Sequence, residues 1–258
     1  GCMPSMITVK LDPCGRWSVS LRINDTRDLR LNSTKKQLGI ELGITSLLTT
    51  SDGEKVANPR NLQKLHKKLK LAQKSLSRKR DKKSNNYQKA KLKVAKIYAL
   101  IKDSRLDYTH KLTTRLIREN QTIVVEDLAV KNMVKNHKLA RVISDANWVE
   151  LLRQLEYKAE WYGRTLIKID RYFPSSKRCS NCGHVVEKLP LNIREWDCPE
   201  CGSHHDRDIN ASINILAAGQ AVSVCGATVR PEESKSRRAS AMKQKVPNSD
   251  ARESRPVS

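Results

Sequence analysis

Four of the chain's seven cysteines stand in two close pairs, Cys179-x2-Cys182 and Cys198-x2-Cys201, with fifteen residues between the pairs. Two tight turns, each carrying two thiols, let four sulfurs converge tetrahedrally on a Zn²⁺ ion at about 2.3 Å, and this spacing falls in the zinc-ribbon range. The flanking residues Ser180-Asn181-Cys182-Gly183 and Pro199-Glu200-Cys201-Gly202 supply the small side chains that such turns need. Disulfides are the competing reading, disfavoured in a chain that reads as intracellular. Four thiolates complete a closed shell and leave no position for a substrate water, so the zinc is expected to be structural. His184, His204 and His205 lie nearby as further candidate ligands or catalytic groups, but the four sulfurs leave them no place on the ion. Cys2, Cys14 and Cys225 lack such spacing and read as structural or incidental.

Three acids stand where an apolar core would not favour them. Glu41 sits inside Gln37–Ile44 (QLGIELGI), Glu126 closes Thr122–Glu126 (TIVVE), and Asp208 opens a helix in Asp206-Arg207-Asp208-Ile209-Asn210-Ala211. A lone buried carboxylate is expensive unless it is paired or holds a cation. Each of the three taken singly fits a salt-bridged core acid or a helix cap, and for Asp208 an N-cap is an equal reading. Taken together they fit a Mg²⁺ site, in which converging carboxylates hold ions that activate a water and stabilise the leaving oxygen of a phosphodiester.

The elements that must position these groups follow from periodicity. Met6–Leu11 and Arg16–Ile23 alternate around Asp12-Pro13-Cys14-Gly15 and predict a β-hairpin. Gln37–Ile44 predicts a buried strand, and Ile44–Thr50 with Lys55–Ala57, joined by Ser51-Asp52-Gly53, a second hairpin extending the same sheet. Leu62, Leu65, Leu69, Ala72 and Leu76, then Tyr87 through Leu116 after a polar break at Asp81–Asn86, predict two long helices folded back on each other. Thr122–Glu126 and Thr165–Asp170 read as strands. Between them Ser144 or Asp145 is expected to cap a helix carrying Trp148, Leu151, Leu152, Leu155, Ala159 and Tyr162 and ending at Gly163. Asp208–Ala218 reads as a last helix, and 230–258 is too poor in large apolar residues to order.

The charge is concentrated. The formal net charge is +23, and Arg60 to Arg118 holds 20 Lys/Arg against three acids, Asp81, Asp103 and Asp107. Solvated helix faces normally interleave Glu to relieve self-repulsion, and this segment has none, which points to a phosphate backbone whose binding weakens steeply with salt. No window approaches eighteen uninterrupted apolar residues and no leader-like apolar run opens the chain, so a membrane span is not expected. The start without Met, at a segment that already reads as a strand, points to a fragment.

Four stretches carry a resemblance to a known family. Glu41-Leu42-Gly43-Ile44, Ile123-Val124-Val125-Glu126-Asp127-Leu128, Ser175-Ser176-Lys177-Arg178-Cys179-Ser180-Asn181-Cys182-Gly183 and His205-Asp206-Arg207-Asp208-Ile209-Asn210-Ala211-Ser212-Ile213-Asn214-Ile215 resemble, in order, the nuclease half of TnpB proteins. These are the OrfB-type transposases of small insertion sequences and relatives of the type V CRISPR effectors. The resemblance implies an α/β, RNase H-like RuvC nuclease fold with an inserted basic helical hairpin and an inserted zinc ribbon. It divides the chain into a wedge remnant (1–36), RuvC parts (37–58, 121–174, 205–229), the hairpin (59–120), the ribbon (175–204) and a disordered tail (230–258). It also implies an RNA-guided, Mg²⁺-dependent DNA endonuclease, with guide RNA and target DNA as partners, no membrane, and a cytoplasmic, nucleoid-associated place in a prokaryote. The catalytic acids would be Glu41, Glu126 and Asp208, which would also bind magnesium. Cys179, Cys182, Cys198 and Cys201 would bind zinc.

One position departs from the family, which has Asp where this chain has Glu41. The extra methylene moves the carboxylate by about 1.5 Å, and a misplacement of about 1 Å can cost on the order of a hundredfold in rate. The alternative reading is therefore a cleavage-impaired, RNA-guided DNA-binding protein acting as a repressor or a regulator of transposition. A zinc-ribbon DNA-binding module without RNA is a third reading, which copurifying RNA would exclude.

Overall fold

The computed structural model of the chain describes residues 3–224. Nine strands and six helices form: β1 (Met6–Leu11), β2 (Trp17–Arg22), β3 (Gln37–Leu42), β4 (Ser46–Thr50), β5 (Lys55–Ala57), α1 (Asn61–Ser77), α2 (Asn85–Glu119), β6 (Thr122–Glu126), α3 (Val130–Met133), α4 (His137–Ala146), α5 (Trp148–Tyr162), β7 (Thr165–Ile169), β8 (Glu195–Asp197), β9 (His204–Asp206) and α6 (Arg207–Val224). The segment read as disordered, 230–258, lies outside the described residues, as do Cys2 and Cys225. None of the described helices is long and apolar enough to cross a membrane.

The central sheet has the order β5-β4-β3-β6-β7. β3, β4 and β5 run antiparallel, whereas β3, β6 and β7 run parallel. β3 is therefore the strand at which an antiparallel half meets a parallel half. It stops at Leu42, two residues before the predicted end, because the Gly43 N–H turns to the Leu47 carbonyl at 3.2 Å and folds the chain into β4. The first hairpin, β1–β2, forms a two-stranded sheet of its own, with Arg16 at its tip paired to Asp103 of α2 at 2.6 Å.

Side chains alternate across a strand, and the alternation sorts the sheet's two faces. Leu38, Ile40, Leu42, Ile123 and Val125 point to one face and pack with Leu116 and Ile117 of α2 and Leu151 and Leu155 of α5. Gly39, Glu41, Val124 and Glu126 point to the other, against α6. There, a Cβ added to Gly39 would sit 2.1 Å from the Ser212 carbonyl oxygen, and one added to Gly219 would sit 2.5 Å from the Val124 methyls. The helix thus lies almost directly on the strands. Gly39→Ala should lower stability by about 3 kcal/mol or more, since the obstacle is helix backbone that cannot rotate aside. Urea unfolding of the two proteins measures this, and a loss under about 1 kcal/mol would mean that α6 lifts off freely.

The Lys-rich helices lie against each other, with Leu69 and Ala72 of α1 buried with Ile97 and Ile101 of α2. α2 begins where Ser84 accepts from the Tyr87 N–H at 3.2 Å. Its distal half meets α1 and its proximal half, through Leu112, Leu116 and Ile117, enters the main core. From Lys64 to Lys96 the lysines and arginines are exposed, and among the described residues none of them forms an ion pair.

The expected cap of α5 is not found. Ser144 and Asp145 fall inside α4, and α5 instead follows Asn147, which has a left-handed φ of 58° and makes no side-chain cap bond. Asp145 caps a different helix. Its carboxylate accepts the N–H groups of Leu62 and Gln63 at 2.9 and 3.2 Å, at the start of α1, and pairs with Arg105 of α2 at 2.9 Å. One buried acid thereby fastens both arms of the hairpin to the core.

Candidate metal centres

Glu41 and Glu126 become neighbours through strand register. Gly39 pairs with Val124 and Ile40 with Val125 in the parallel β3–β6 ladder, so the two glutamates, one residue further on, lie side by side on the face that α6 covers. The helix brings the third acid. Gln220 bonds Gln37 at 2.9 Å and Ser212 lies over Gly39, so α6 runs antiparallel to β3. Four helical residues from Ser212 back to Asp208 cover about 6 Å, and two strand residues from Gly39 to Glu41 cover about 6.6 Å. Asp208 therefore arrives at the level of Glu41.

The electrostatics register this grouping. Burial, then the charges of Glu126 and Asp208, hold the Glu41 carboxyl well above the usual carboxylate range, with Arg207 opposing. Burial also raises Glu126, against the hydrogen bonds from Ser175 and Glu41 that favour its ionised form. Oε2 of Glu41 is buried with no hydrogen-bond partner among the described residues. A buried carboxylate oxygen without a donor, flanked by two more acids, is a place that a cation fits. Among the described residues the group whose ligand atoms converge closely enough to hold one ion is that of the four cysteines, and the three acids do not form such a group.

Asp208 is not the cap of α6. Asp206 accepts the N–H groups of Asp208 and Ile209 at 3.1 and 3.0 Å, and Lys55 neutralises it at 2.5 Å. That leaves the Asp208 carboxylate free to face the site, where its charged neighbour is Arg194 Nη1 at 3.5 Å.

The four cysteines meet. All their sulfurs lie within 4.8 Å of one another, with Cys179 to Cys201 at 3.7 Å and Cys182 to Cys198 at 3.6 Å. The two turns are built alike. The Cys179 N–H donates to the His184 carbonyl and the Gly183 N–H to the Cys179 carbonyl, at 2.8 and 2.9 Å; the Cys198 N–H donates to the Ser203 carbonyl and the Gly202 N–H to the Cys198 carbonyl, both at 2.9 Å. Gly183 and Gly202 hold φ of 82° and 70°, a conformation that side chains disfavour. Hydrogen bonds with Ser203 bring the Cys201 thiol down to about 5, while Cys182, despite the favourable His184 backbone contact, is pushed up to about 12 by desolvation and the three sulfurs around it. Four sulfurs compete to ionise, a conflict that a divalent cation removes. The cluster is suited to a metal ion.

The histidines divide. His205 is buried, with Nε2 3.0 Å from Cys179 Sγ and its ring against Trp196, a place for a donor to a ligand sulfur. His204 is exposed and paired with Asp197 at 2.7 Å, which raises its pKa. His184 contributes its backbone carbonyl. Sequence reasoning missed Ser175, Asn210 and Asn214, which are buried and bonded around both clusters.

Comparison with known proteins now bears on these positions. Residues 19–137 match the family model described as "Probable transposase", and 148–215 match "Cas12f1-like, TNB domain". The first span contains Glu41, Glu126 and the basic hairpin; the second contains the four cysteines and Asp208. A protein of Streptomyces pristinaespiralis named "Putative RNA-guided DNA endonuclease" is 54% identical over 237 residues, 92% of this chain and 58% of that protein. The chain belongs to the TnpB (OrfB-type) family. A further relative, of Escherichia coli (strain K12) and named "Putative RNA-guided DNA endonuclease InsQ", is 34% identical over 84% of this chain and 57% of its own length. The chain thus spans a little over half the length of these relatives. The fold itself is like that of Cas12f1 in a cryo-EM structure of the Cas12f1-sgRNA-target DNA complex, with a TM-score of 0.58 at 19% identity over 83% of this chain and 46% of that one.

Proposed function

We propose that the chain is the catalytic part of a transposon-associated, RNA-guided DNA endonuclease, and that the mixed sheet with α6 is an RNase H-like RuvC fold. The observation that carries the reading is the side-by-side placement of Glu41 and Glu126 under the start of α6, with a buried Glu41 oxygen lacking any donor. Glu41, Glu126 and Asp208 would hold Mg²⁺, which when bound supplies water activation and charge stabilisation for phosphodiester hydrolysis. The chain's own part is to keep the acids pre-positioned: Asp206 closes the helix start so that Asp208 is not used up as a cap, and Ser175 orients Glu126. Arg194 stands beside Asp208 as a donor for a phosphate oxygen.

The unpaired lysines along α1 and α2 would follow the backbone of a guide RNA–target DNA duplex, and the closed four-thiolate site would hold zinc as a structural ion. In this reading 37–58, 121–174 and 205–229 form the nuclease, 59–120 the duplex-binding hairpin, 175–204 the ribbon and 1–36 part of a wedge-type domain. The place of action is the nucleoid of a prokaryotic cell.

Glu41 favours a second reading, a guided binder with weakened cleavage, because the family carries the shorter Asp there. One experiment separates the two. With guide RNA, matching DNA and Mg²⁺ supplied to the chain joined to the further length that its relatives carry, Glu41→Asp should raise the cleavage rate on the order of a hundredfold. If the parent already cuts as fast, the longer side chain is no handicap and the binder reading falls. If neither protein cuts, the nuclease reading falls.

A further inference from the structure

The two clusters share one polar framework, and three side chains make the join. Ser175 donates its hydroxyl to Glu126 Oε1 at 2.5 Å. The carbonyl of Ser175 accepts from Asn214 Nδ2 at 2.9 Å, and the same nitrogen donates to the Arg178 carbonyl at 2.6 Å. One turn earlier on α6, Asn210 donates to that Arg178 carbonyl at 2.8 Å and accepts the Ser180 N–H at 2.9 Å. Asn210 and Asn214 therefore grip the first cysteine turn on both sides of Cys179. All three side chains belong to buried residues. Asparagine is a poor helix former, and two of them four residues apart, both turned to the same loop, mark a contact that overrides helix propensity.

A second route runs through the other strand of the ribbon. His205 touches Cys179 Sγ, and the next residue, Asp206, is the cap that sets the first turn of α6. The end of β6 and the start of α6, which carry Glu126 and Asp208, are thus both fastened to the loop that the four sulfurs close.

We infer that Ser175, Asn210 and Asn214 are positioning residues through which metal occupancy of the four-cysteine site sets the placement of Glu126 and Asp208. The inference rests on reading both clusters as metal centres. Without an ion the sulfurs separate, the Arg178 carbonyl and Ser180 N–H shift, the asparagines pass that shift to α6, and Ser175 passes it to Glu126. Outer-shell partners of this kind typically change metal affinity about 10–100-fold when removed.

Hydrogen exchange on the full chain tests it, with zinc loaded or stripped and no divalent ion added for the acids. Stripping should speed exchange about tenfold or more in 122–127 and 207–215 as well as in the cysteine turns. In zinc-loaded Asn210→Ala/Asn214→Ala, the turns should stay protected and Co²⁺ should still give its thiolate absorption, while 207–215 exchanges as in the stripped parent. Ser175→Ala, which deletes only a hydroxyl, should loosen 122–127 alone and weaken Mn²⁺ binding, followed by electron paramagnetic resonance, about tenfold. Equal exchange of 122–127 and 207–215 in loaded and stripped parent overturns the inference. If those segments respond but the zinc-loaded parent shows no Glu126-dependent Mn²⁺ binding, the coupling stands and the reading of the acids fails.

Discussion

Asp208→Ala, made in the Glu41→Asp background, is expected to reduce Mg²⁺-dependent DNA cleavage on the order of a thousandfold or more, the equivalent of the several kcal/mol that a bound ion contributes to such a transition state. The same cluster predicts an opposite effect on stability. In the unfolded chain Glu41 ionises near the ordinary glutamate value of about 4.3. In the fold, burial and the charges of Glu126 and Asp208 hold its proton to a higher pH. Between those two values folding takes up a proton, so stability of the metal-free protein falls as pH rises through that interval. Glu41→Gln has no proton to lose. It should melt at a higher temperature than the parent in a chelator at pH 8, match it near pH 4, and lose Mg²⁺ stabilisation. Thermal unfolding across this pH range measures the crossover. A Gln variant less stable than the parent at pH 8 would show that Glu41 is a satisfied core acid rather than one end of an ion site.

Removing the ion from the four cysteines should have the larger structural effect. The apolar support of the four-cysteine segment is Trp196 with Cys179, Cys198, Val186 and Leu189, too few groups to order a loop of this length alone. Structural zinc contributes roughly 10–16 kcal/mol in small peptide domains, far more than that cluster provides. Chelation, or Cys198→Ser, is therefore expected to unfold the segment between Ser175 and Asp206 and expose Lys177, Arg178, Lys188 and Arg194 to trypsin, while β3, β4 and β5 of the central sheet keep their protection. The parent should carry one equivalent of zinc by elemental analysis. A four-cysteine segment that resists trypsin equally well with and without the ion would contradict this.

Some of this site was legible in the residues before any fold was known. The cysteine spacing forecasts the cluster because four sulfurs on two short turns have few other arrangements. Glu41 and Glu126 stand out because strands rich in Ile, Leu and Val rarely carry an acid. What the chain's local pattern does not display is contact across long separations. Asp145 looks like the cap of the helix that follows it, yet its partners are Leu62 and Gln63, more than eighty residues away. Asp206 and Asp208 are equally good caps by type, and only the Lys55 contact and the β9 pairing decide between them. Asn210 and Asn214 read as ordinary polar helix positions until the Arg178 carbonyl is found beneath them. α3 went unread because four residues are too few to set a period, and α4 went unread although Leu139, Val142, Ile143 and Ala146 fall at helical steps, since Ser144 and Asp145 inside it read as the cap of the next helix.

α2 is a single rod of 35 residues, about 52 Å long, clamped in the core by its last three turns and free of the sheet beyond Ile101. Such a beam behaves as a lever. Load applied at its lysine-bearing tip by a bound polymer is delivered at Leu116 and Ile117, immediately before the turn that feeds β6 and hence Glu126. Shortening both arms by matched whole turns would keep the helices facing each other and reduce grip, whereas an insertion between Leu112 and Thr122 would twist the fulcrum and misalign the strand that follows it.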